Sequence, residues 1–305
     1  NRKEVDIVNS DLHYGKFKQY PLTFWSDDYR YLTEEQLIET ENSLAEMGIE
    51  SDDPTLVKME KITVYLRRKL INARGVPKND ARWYDPLTLY KQMLSGDCKG
   101  WCTQHAQLFT FFASRAGVPT RQVFACRDVK KMFTFNGHAW AESWVSEQQR
   151  WAYVDLSHGH VYVTNAGGDV LNTVQLYFLQ QANSFEGIQV RLFSDWEWEE
   201  QFEVSDSLTT VPFLECNQVL VNQMVKQAAF KFRNVPQVES VRDEYKGFLK
   251  NKTFLWGNLK RYFLVPQPAW SPYSEDHVRA LNLKRRLMFW ISVLSFAGII
   301  ITGLI

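Results

Sequence analysis

The chain has 305 residues, a hydrophobic fraction of 45% and equal numbers of basic and acidic residues, 35 of each. This length is enough for one large domain or two smaller ones with a buried core, and the balanced charge predicts no nucleic-acid partner. The four cysteines form no CxxC pair and no metal-binding spacing, so they predict neither a cofactor nor a metal site.

The first 50 residues predict an N-terminal arm followed by a short helix. Residues 1–21 are polar and aromatic without a period, which is typical of an extended arm. Thr33 and Gln36 have the spacing of a capping box, and Gly48 is a stop signal.

Two further helices are predicted before the first cysteine. One begins after Pro54, because apolar residues recur there at helical spacing up to Leu70. Its basic residues, Arg67 among them, are expected on the solvated face. The second begins at Asp85 and Pro86, a pair typical of a helix start.

A Gly-Asp-Cys turn at residues 96–98 precedes an apolar run that ends before Gly117. We expect a helix to begin at this turn, so that Cys98 lies in its first turn. Unpaired N–H groups and the helix dipole stabilise a thiolate there. A buried structural cysteine is the alternative. Gln92 is a candidate oxyanion donor, with a helix-surface role as its alternative.

Alternating apolar residues predict three strands, at residues 121–126, 138–145 and 151–156. The last two are separated by a short polar segment, which indicates a β-hairpin. If opposed residue numbers sum to 293, His138 faces Asp155. Opposed residues point to the same side of a sheet, so imidazole and carboxylate are predicted on one aromatic-rich face.

These residues form a candidate triad of Cys98, His138 and Asp155. The thiolate would attack a carbonyl carbon, the imidazole would accept and return a proton, and the carboxylate would orient the imidazole. Trp140, two residues after His138, is a further candidate for an oxyanion donor or a supporting residue of the site.

Three motifs together resemble the transglutaminase-like superfamily. They are Gly-Asp-Cys with the helix ending at residues 115–121, the His-containing strand at 137–145 and the Asp-containing strand at 151–156. The similarity covers residues 54–157, about a third of the chain. After Asp155 the chain lacks the proline that often follows in this family.

The resemblance implies a fold and an activity. The fold is α+β, a papain-like core in which the helix carrying the nucleophile packs on an antiparallel sheet. The activity is cleavage or transfer of an amide or acyl group, with a peptide or protein amide as substrate. The family also includes members that have lost activity.

The remaining histidines and cysteines have simpler interpretations. His105 is expected in the core or behind the site. His158 and His160 form an HxH pair that could bind a metal if both lie on a strand, but the sequence suggests no third ligand. Cys126 and Cys216 are expected to be buried apolar residues.

The C-terminal third differs in composition from the core. Residues 246–263 mix lysines with aromatic residues, which fits either a membrane-surface segment or a partly buried helix. Residues 287–305 carry no charge and predict a transmembrane helix. Residues 284–286 are basic, so we expect the preceding domain to be cytoplasmic, with a periplasmic or extracellular domain as the alternative.

The sequence therefore predicts four regions and two classes of function. The regions are an arm with a short helix (1–50), the transglutaminase-like core (51–186), a partly helical extension (187–283) and a transmembrane helix (287–305). The first function is a membrane-anchored cysteine protease, amidase or acyltransferase. The second is a non-enzymatic scaffold or binding subunit of a membrane assembly, such as an envelope or polysaccharide-export system.

Overall fold

The computed structural model describes residues 22, 25, 32–78, 81, 84–126, 137–193, 207–216, 229–233, 269–270 and most of 283–298. The predicted arm at 1–21 and the basic, aromatic segment at 246–263 lie outside the described residues.

Local sequence signals set the ends of the first helices. Thr33 and Gln36 form the predicted capping box at the first helix, and the Asp85 carboxylate accepts from the Thr88 N–H at the third. These predictions are confirmed. The α-helices of the described residues are α1 (Glu34–Glu46), α2 (Thr55–Leu70), α3 (Pro86–Leu94), α4 (Cys102–Arg115) and α5 (Thr173–Gln181).

The described strands form two antiparallel sheets. They are β1 (Thr120–Cys126), β2 (Ala139–Val145), β3 (Arg150–Val154), β4 (His160–Thr164), β5 (Gln189–Phe193), β6 (Leu208–Pro212), β7 (Ala229–Arg233) and β8 (Ala269–Trp270). The larger sheet has the order β3-β2-β1-β7-β8, and the smaller has the order β4-β5-β6. The predicted α+β class with an antiparallel sheet is confirmed, and the arrangement fits a papain-like core.

Helix α4 lies at the centre of the molecule. All its side chains from Thr103 to Ala113 are buried, which is unusual for a helix and means that it is covered on every side. It packs on β1 and β2 with one face and on α2 and α3 with others. The first turn of α4 is therefore held firmly next to the start of β2.

The predicted hairpin of β2 and β3 is confirmed, but its predicted register is wrong by two residues. Val145 pairs with Arg150 and Glu142 with Tyr153, so opposed numbers sum to 295 rather than 293. The turn takes the four residues 146–149, and Gln149 closes it with a positive φ of 52°. Because a shift of two keeps every side chain on its face, the predicted faces remain correct.

The face of the larger sheet opposite α4 is built around a buried ion pair. The Arg121 guanidinium donates to the Glu142 carboxylate at 2.6 and 2.9 Å. It also lies 3.8 Å from the ring centroid of Trp151 and 4.5 Å from that of Phe232. Glu142 in turn accepts from the Thr173 N–H at 2.7 Å. The pair and its ring contacts therefore link the four strands β1, β2, β3 and β7 to the start of α5.

Arg67 differs from its predicted place on the solvated face of α2. Its side chain is buried, and its guanidinium lies 4.4 Å from the centroid of the Phe193 ring. Phe193 belongs to β5, which is far from α2 in the sequence, so the position of Arg67 could not be predicted from the pattern of α2 alone. A cation–π contact of this kind replaces part of the lost hydration of the guanidinium.

The C-terminal third contributes strands to both sheets. β5 pairs with β4, and β7 pairs with β1. The division of the chain at residue 186 stays a prediction. Within the described part of the chain no helix is long and apolar enough to cross a membrane, and residues 299–305 of the predicted span lie outside that part.

We expect Glu142→Ala to lower the free energy of unfolding by about 3–5 kcal/mol, because it removes the carboxylate from a buried guanidinium. Urea-induced unfolding measures this change. The double variant Arg121→Met/Glu142→Leu removes both charges and should recover most of the loss. Equal destabilisation of both variants would contradict a role for the unpaired charge.

Candidate active site

The helix that the sequence analysis placed at Cys98 begins four residues later, at Cys102. Gly96 has a φ of 79°, and its N–H donates to the Met93 carbonyl. It therefore ends α3 instead of starting α4, since a left-handed glycine is the usual helix terminator. The prediction that Cys98 lies in the first turn of this helix is wrong, and Cys102 occupies that position.

Cys98 lies in the loop between α3 and α4 and is only 1% exposed. Its thiol donates to the Lys99 carbonyl at 3.1 Å, and its N–H donates to the Gln92 carbonyl at 2.8 Å. The burial and these backbone contacts agree with the alternative interpretation, in which Cys98 is a buried structural cysteine.

The residues before Cys102 are fixed by backbone hydrogen bonds. The Gly100 N–H donates to the Ala73 carbonyl, and the Gly100 carbonyl accepts from the Gly75 N–H. A Cβ atom at Gly100 would lie 2.7 Å from Met93 Cε and 2.8 Å from Gln104 Cβ, so only glycine fits. The Gln104 side chain then caps the helix by accepting from the Trp101 N–H at 3.1 Å.

His138 and Asp155 are in direct contact, as the sequence predicted. His138 Nε2 lies 2.5 Å from Asp155 Oδ2, and both side chains are buried. His138 immediately precedes β2, and Asp155 immediately follows β3, so pairing of these two strands brings them together. With Nε2 bonded to the carboxylate, the imidazole nitrogen left for a thiol is Nδ1.

The structure pairs His138 with Cys102. Burial alone would lower the pKa of His138, but the charge and hydrogen bond of Asp155 and a side-chain hydrogen bond with Cys102 raise it to about 10. His138 is then an imidazolium at neutral pH. An imidazolium beside a thiol at a helix N-terminus is the environment that favours a thiolate.

Every lone pair of the Asp155 carboxylate is used. Oδ1 accepts from the Ser157 N–H at 3.0 Å and from the Ser157 hydroxyl at 2.6 Å. Oδ2 accepts from His138 and also from His158 Nδ1 at 2.7 Å, with the Tyr153 hydroxyl at 3.3 Å. Burial would raise the pKa of Asp155, but His158 and His138 together hold it well below its usual value. Asp155 is therefore a carboxylate.

His158 is a residue of the site that the sequence analysis did not identify as such. It was considered as an HxH partner of His160 on a strand, but it ends a 3₁₀ turn, Leu156–His158. The three-residue separation from Asp155 in that turn brings its ring back to the carboxylate. The spacing Asp-x-x-His at residues 155–158 is the sequence signal from which this contact could have been predicted.

The ligand atoms of His138, Asp155 and His158 all lie within 4.8 Å of one another. The two N···O distances of 2.5 and 2.7 Å are those of hydrogen bonds. Two ligands of a tetrahedral Zn²⁺ with bonds of 2.0–2.1 Å would be about 3.3 Å apart. The arrangement therefore fits a hydrogen-bonded network, and we assign no metal ligand among these residues.

The two candidate supporting residues have different outcomes. The Trp140 indole N–H donates to Thr173 Oγ1 at 2.8 Å, so it cannot serve an oxyanion. The centroid of the Trp140 ring lies 5.6 Å from that of the His138 ring, so the indole packs against the imidazole. The oxyanion role of Gln92 stays a prediction.

The other histidines near the site are neutral. His105 accepts or donates through Nδ1 at the Trp101 carbonyl, 2.8 Å away, and burial lowers its pKa to about 4. Burial also lowers the pKa of His160 to about 4. Cys216 is buried as predicted, whereas the Cys126 side chain lies outside the described residues.

Residues 42–156 match the family model of the transglutaminase-like superfamily. The matched segment runs from α1 to the residue after Asp155 and contains Cys102 and His138. The chain thus carries a transglutaminase-like superfamily domain, as the three motifs indicated. No curated protein and no solved structure matches the chain.

We expect iodoacetamide to label Cys102 before Cys98, because Cys102 is partly exposed beside an imidazolium and Cys98 is buried. Peptide mass spectrometry after brief labelling identifies the modified residue. Cys98→Ser is the matched control and should label at the wild-type rate. Fast labelling that persists in Cys102→Ser would restore Cys98 as the reactive cysteine.

Proposed function

We propose that this chain is a cysteine-dependent enzyme that cleaves or transfers an amide or acyl group, with Cys102 as its nucleophile. The observation that carries this proposal is the pairing of His138 with both Cys102 and Asp155 in a buried site. Members of the superfamily are in general cysteine-dependent enzymes, which supports it further. Cys102 takes the role that the sequence analysis gave to Cys98.

The proposed reaction follows from the order of these groups. The Cys102 thiolate attacks the carbonyl carbon of an amide, and the oxyanion forms near the backbone N–H groups at the start of α4, because a helix gives its first N–H groups no intrahelical acceptor. His138 then gives its proton to the leaving nitrogen as the C–N bond breaks. Water or an amine attacks the resulting thioester, returns a proton to His138 and releases the thiolate.

Asp155 has a supporting role in this mechanism. It accepts from Nε2–H of His138 and so directs Nδ1 towards the thiol. Its negative charge also stabilises the imidazolium form, which is the form that serves as general acid. The substrate class that fits is a peptide or protein amide.

The test is a hydroxamate assay, in which hydroxylamine captures the acyl group from a library of amide-containing peptides. We expect product from the wild type and a loss on the order of 10³–10⁴-fold in Cys102→Ala, His138→Ala and Asp155→Asn. Cys98→Ser is the matched control and should keep its activity. Equal activity of Cys102→Ala and wild type would overturn the assignment.

The pH dependence of the same assay gives a second test. Because the pKa of His138 is about 10, its proton is lost as the pH rises through that value. We expect the rate of acyl transfer to fall over this range, since the leaving nitrogen then has no proton donor. A rate that stays constant up to pH 11 would contradict the role of His138 as the acid.

We further propose that the chain is anchored to a membrane through residues 287–305, with the enzyme domain on the cytoplasmic side. Large apolar side chains between residues 283 and 294 are exposed, which is costly in water and suits a lipid environment. They include Leu287, Trp290, Ile291 and Leu294. The basic residues 284–286 before this segment favour the cytoplasmic side.

Flotation of the full chain with phospholipid vesicles tests the anchor. We expect the wild type to float and Leu287→Asp/Ile291→Asp to stay in the dense fraction, because charges in hydrocarbon are unfavourable. Val76→Asp is the matched control, since Val76 is also an exposed apolar residue but lies outside the proposed anchor. Flotation of the double variant would contradict the proposal.

A further inference from the structure

Trp101, the residue directly before Cys102, has an exposed indole. Its side chain is 54% exposed, whereas Trp25, Trp140 and Trp151 are buried in the core. Among the side chains that the structure describes, the other exposed tryptophan belongs to the proposed membrane anchor. A single exposed apolar residue is ordinary on a protein surface. What distinguishes this ring is its place beside the proposed nucleophile.

The backbone of Trp101 is fixed on both sides. Its N–H donates to the Gln104 side chain at 3.1 Å. Its carbonyl accepts from the His105 N–H at 3.1 Å and lies 2.8 Å from His105 Nδ1. The preceding residue, Gly100, makes two backbone hydrogen bonds to the segment 73–75. The exposed ring therefore extends from a backbone that is already ordered, so a ligand that binds the ring has little chain left to immobilise.

A second exposed apolar side chain lies on the neighbouring segment. The Gly75 N–H donates to the Gly100 carbonyl at 3.1 Å, and the two segments run parallel at this point. Val76 and Trp101 directly follow these two glycines, and Val76 is 71% exposed. Because Pro77 comes next, the backbone of Val76 is restricted to extended conformations. Two exposed apolar side chains therefore extend from adjacent segments next to a partly exposed thiol.

We propose that Trp101 and Val76 form an apolar subsite, which binds a large aliphatic or aromatic side chain of the substrate close to the amide that reacts with Cys102. This inference rests on the proposed function and adds a substrate preference to it. Consecutive Cα atoms are about 3.8 Å apart, and an extended peptide spans about 3.3–3.6 Å per residue. A substrate side chain one or two residues from the reacting carbonyl is therefore within reach of the indole.

The surroundings of the ring favour an apolar side chain over the other ligands of an indole. Sugar hydroxyls lose hydrogen bonds to water on binding, and the valine of the subsite offers none in return. A cationic side chain can bind the face of an indole, but Lys99 is exposed only two residues before Trp101. A Cβ atom at Gly75 would lie 2.9 Å from Lys99 Cδ, so this lysine lies over the same segment. Its charge opposes a second cation there.

The experiment compares the alkylation of Cys102 in the full chain by three probes at pH 7, in each of which the thiolate displaces iodide from the CH2 carbon. The probes are iodoacetamide, its N-phenylethyl derivative with an aromatic arm and its N-aminoethyl derivative with a cationic arm. Peptide mass spectrometry gives the rate at Cys102, and division by the rate of the same probe with glutathione removes differences in intrinsic reactivity. In the wild type we expect the aromatic arm to raise the corrected rate about tenfold and the cationic arm to give no gain.

Two variants of the subsite test this preference. Trp101→Ala should abolish it, so that the aromatic probe and plain iodoacetamide react at the same corrected rate. Trp101→Phe keeps an aromatic ring and should retain most of the preference. Val76→Ser should lower the preference about threefold, and it tests the subsite independently should Trp101→Ala not fold.

Ile38→Ala is the matched control and should keep the wild-type preference. Ile38 is also an exposed apolar residue, but it lies on α1. That helix contacts the far end of α4, where Glu41 pairs with Arg115.

Three results would overturn the proposal. The first is a preference that persists in Trp101→Ala, and the second is an equal gain from the cationic arm. The third is a wild type without any preference, although its Cys102 reacts faster than that of His138→Ala. Failure of the proposed function is distinct, since the wild type and His138→Ala would then react with plain iodoacetamide at the same slow rate, and the subsite would fall with it.

Discussion

The carboxylate of Asp155 is the group on which the arrangement of the site depends. It is buried at the end of β3 and accepts five hydrogen bonds through two oxygens. Three of these involve Ser157 and His158 in the turn that follows, and one comes from the histidine that precedes β2. A buried carboxylate without such partners would be protonated. The negative charge and the local fold therefore stabilise each other.

Strands β2 and β3 and helix α4 bring the other two groups of the site to this carboxylate. β2 and β3 bring His138 to Asp155, and packing of α4 on β2 brings Cys102 to His138. Each of the three groups thus comes from a different element, and each lies at the end of that element. The helix and strands set the positions of these groups, and the Cys102 side chain remains partly exposed.

Much of this arrangement follows from local sequence signals. The capping box at Thr33, the periodicity of α2 and the alternation in β2 and β3 are all local patterns, and they were predicted correctly. The hairpin register was wrong by two residues because the positive φ of Gln149 extends the turn. The contact between His138 and Asp155 was still predicted, because the alternation of a strand is insensitive to a shift of two.

The predictions were wrong where a local sequence pattern fits two different structures. Gly96 can end one helix or begin the next, and only the packing of α3 against α4 decides between them. The glycine that matters for the nucleophile is Gly100, whose contact with Met93 cannot be read from spacing. Burial of Arg67 depends on Phe193, which is distant in sequence. The role of His158 depends on a 3₁₀ turn where the sequence pattern indicated a continuing strand.

The ion pair of Arg121 and Glu142 has a consequence for the size of the folding unit. Arg121 is covered by Phe232 of β7, and Glu142 binds the first residue of α5. Both partners lie beyond residue 156, where the match to the superfamily ends. A fragment of residues 42–156 would lack both Phe232 and Thr173. The ion pair of Arg121 and Glu142 would then be exposed to water on the face of the larger sheet opposite α4. The smallest autonomous version of this domain therefore extends at least to residue 233.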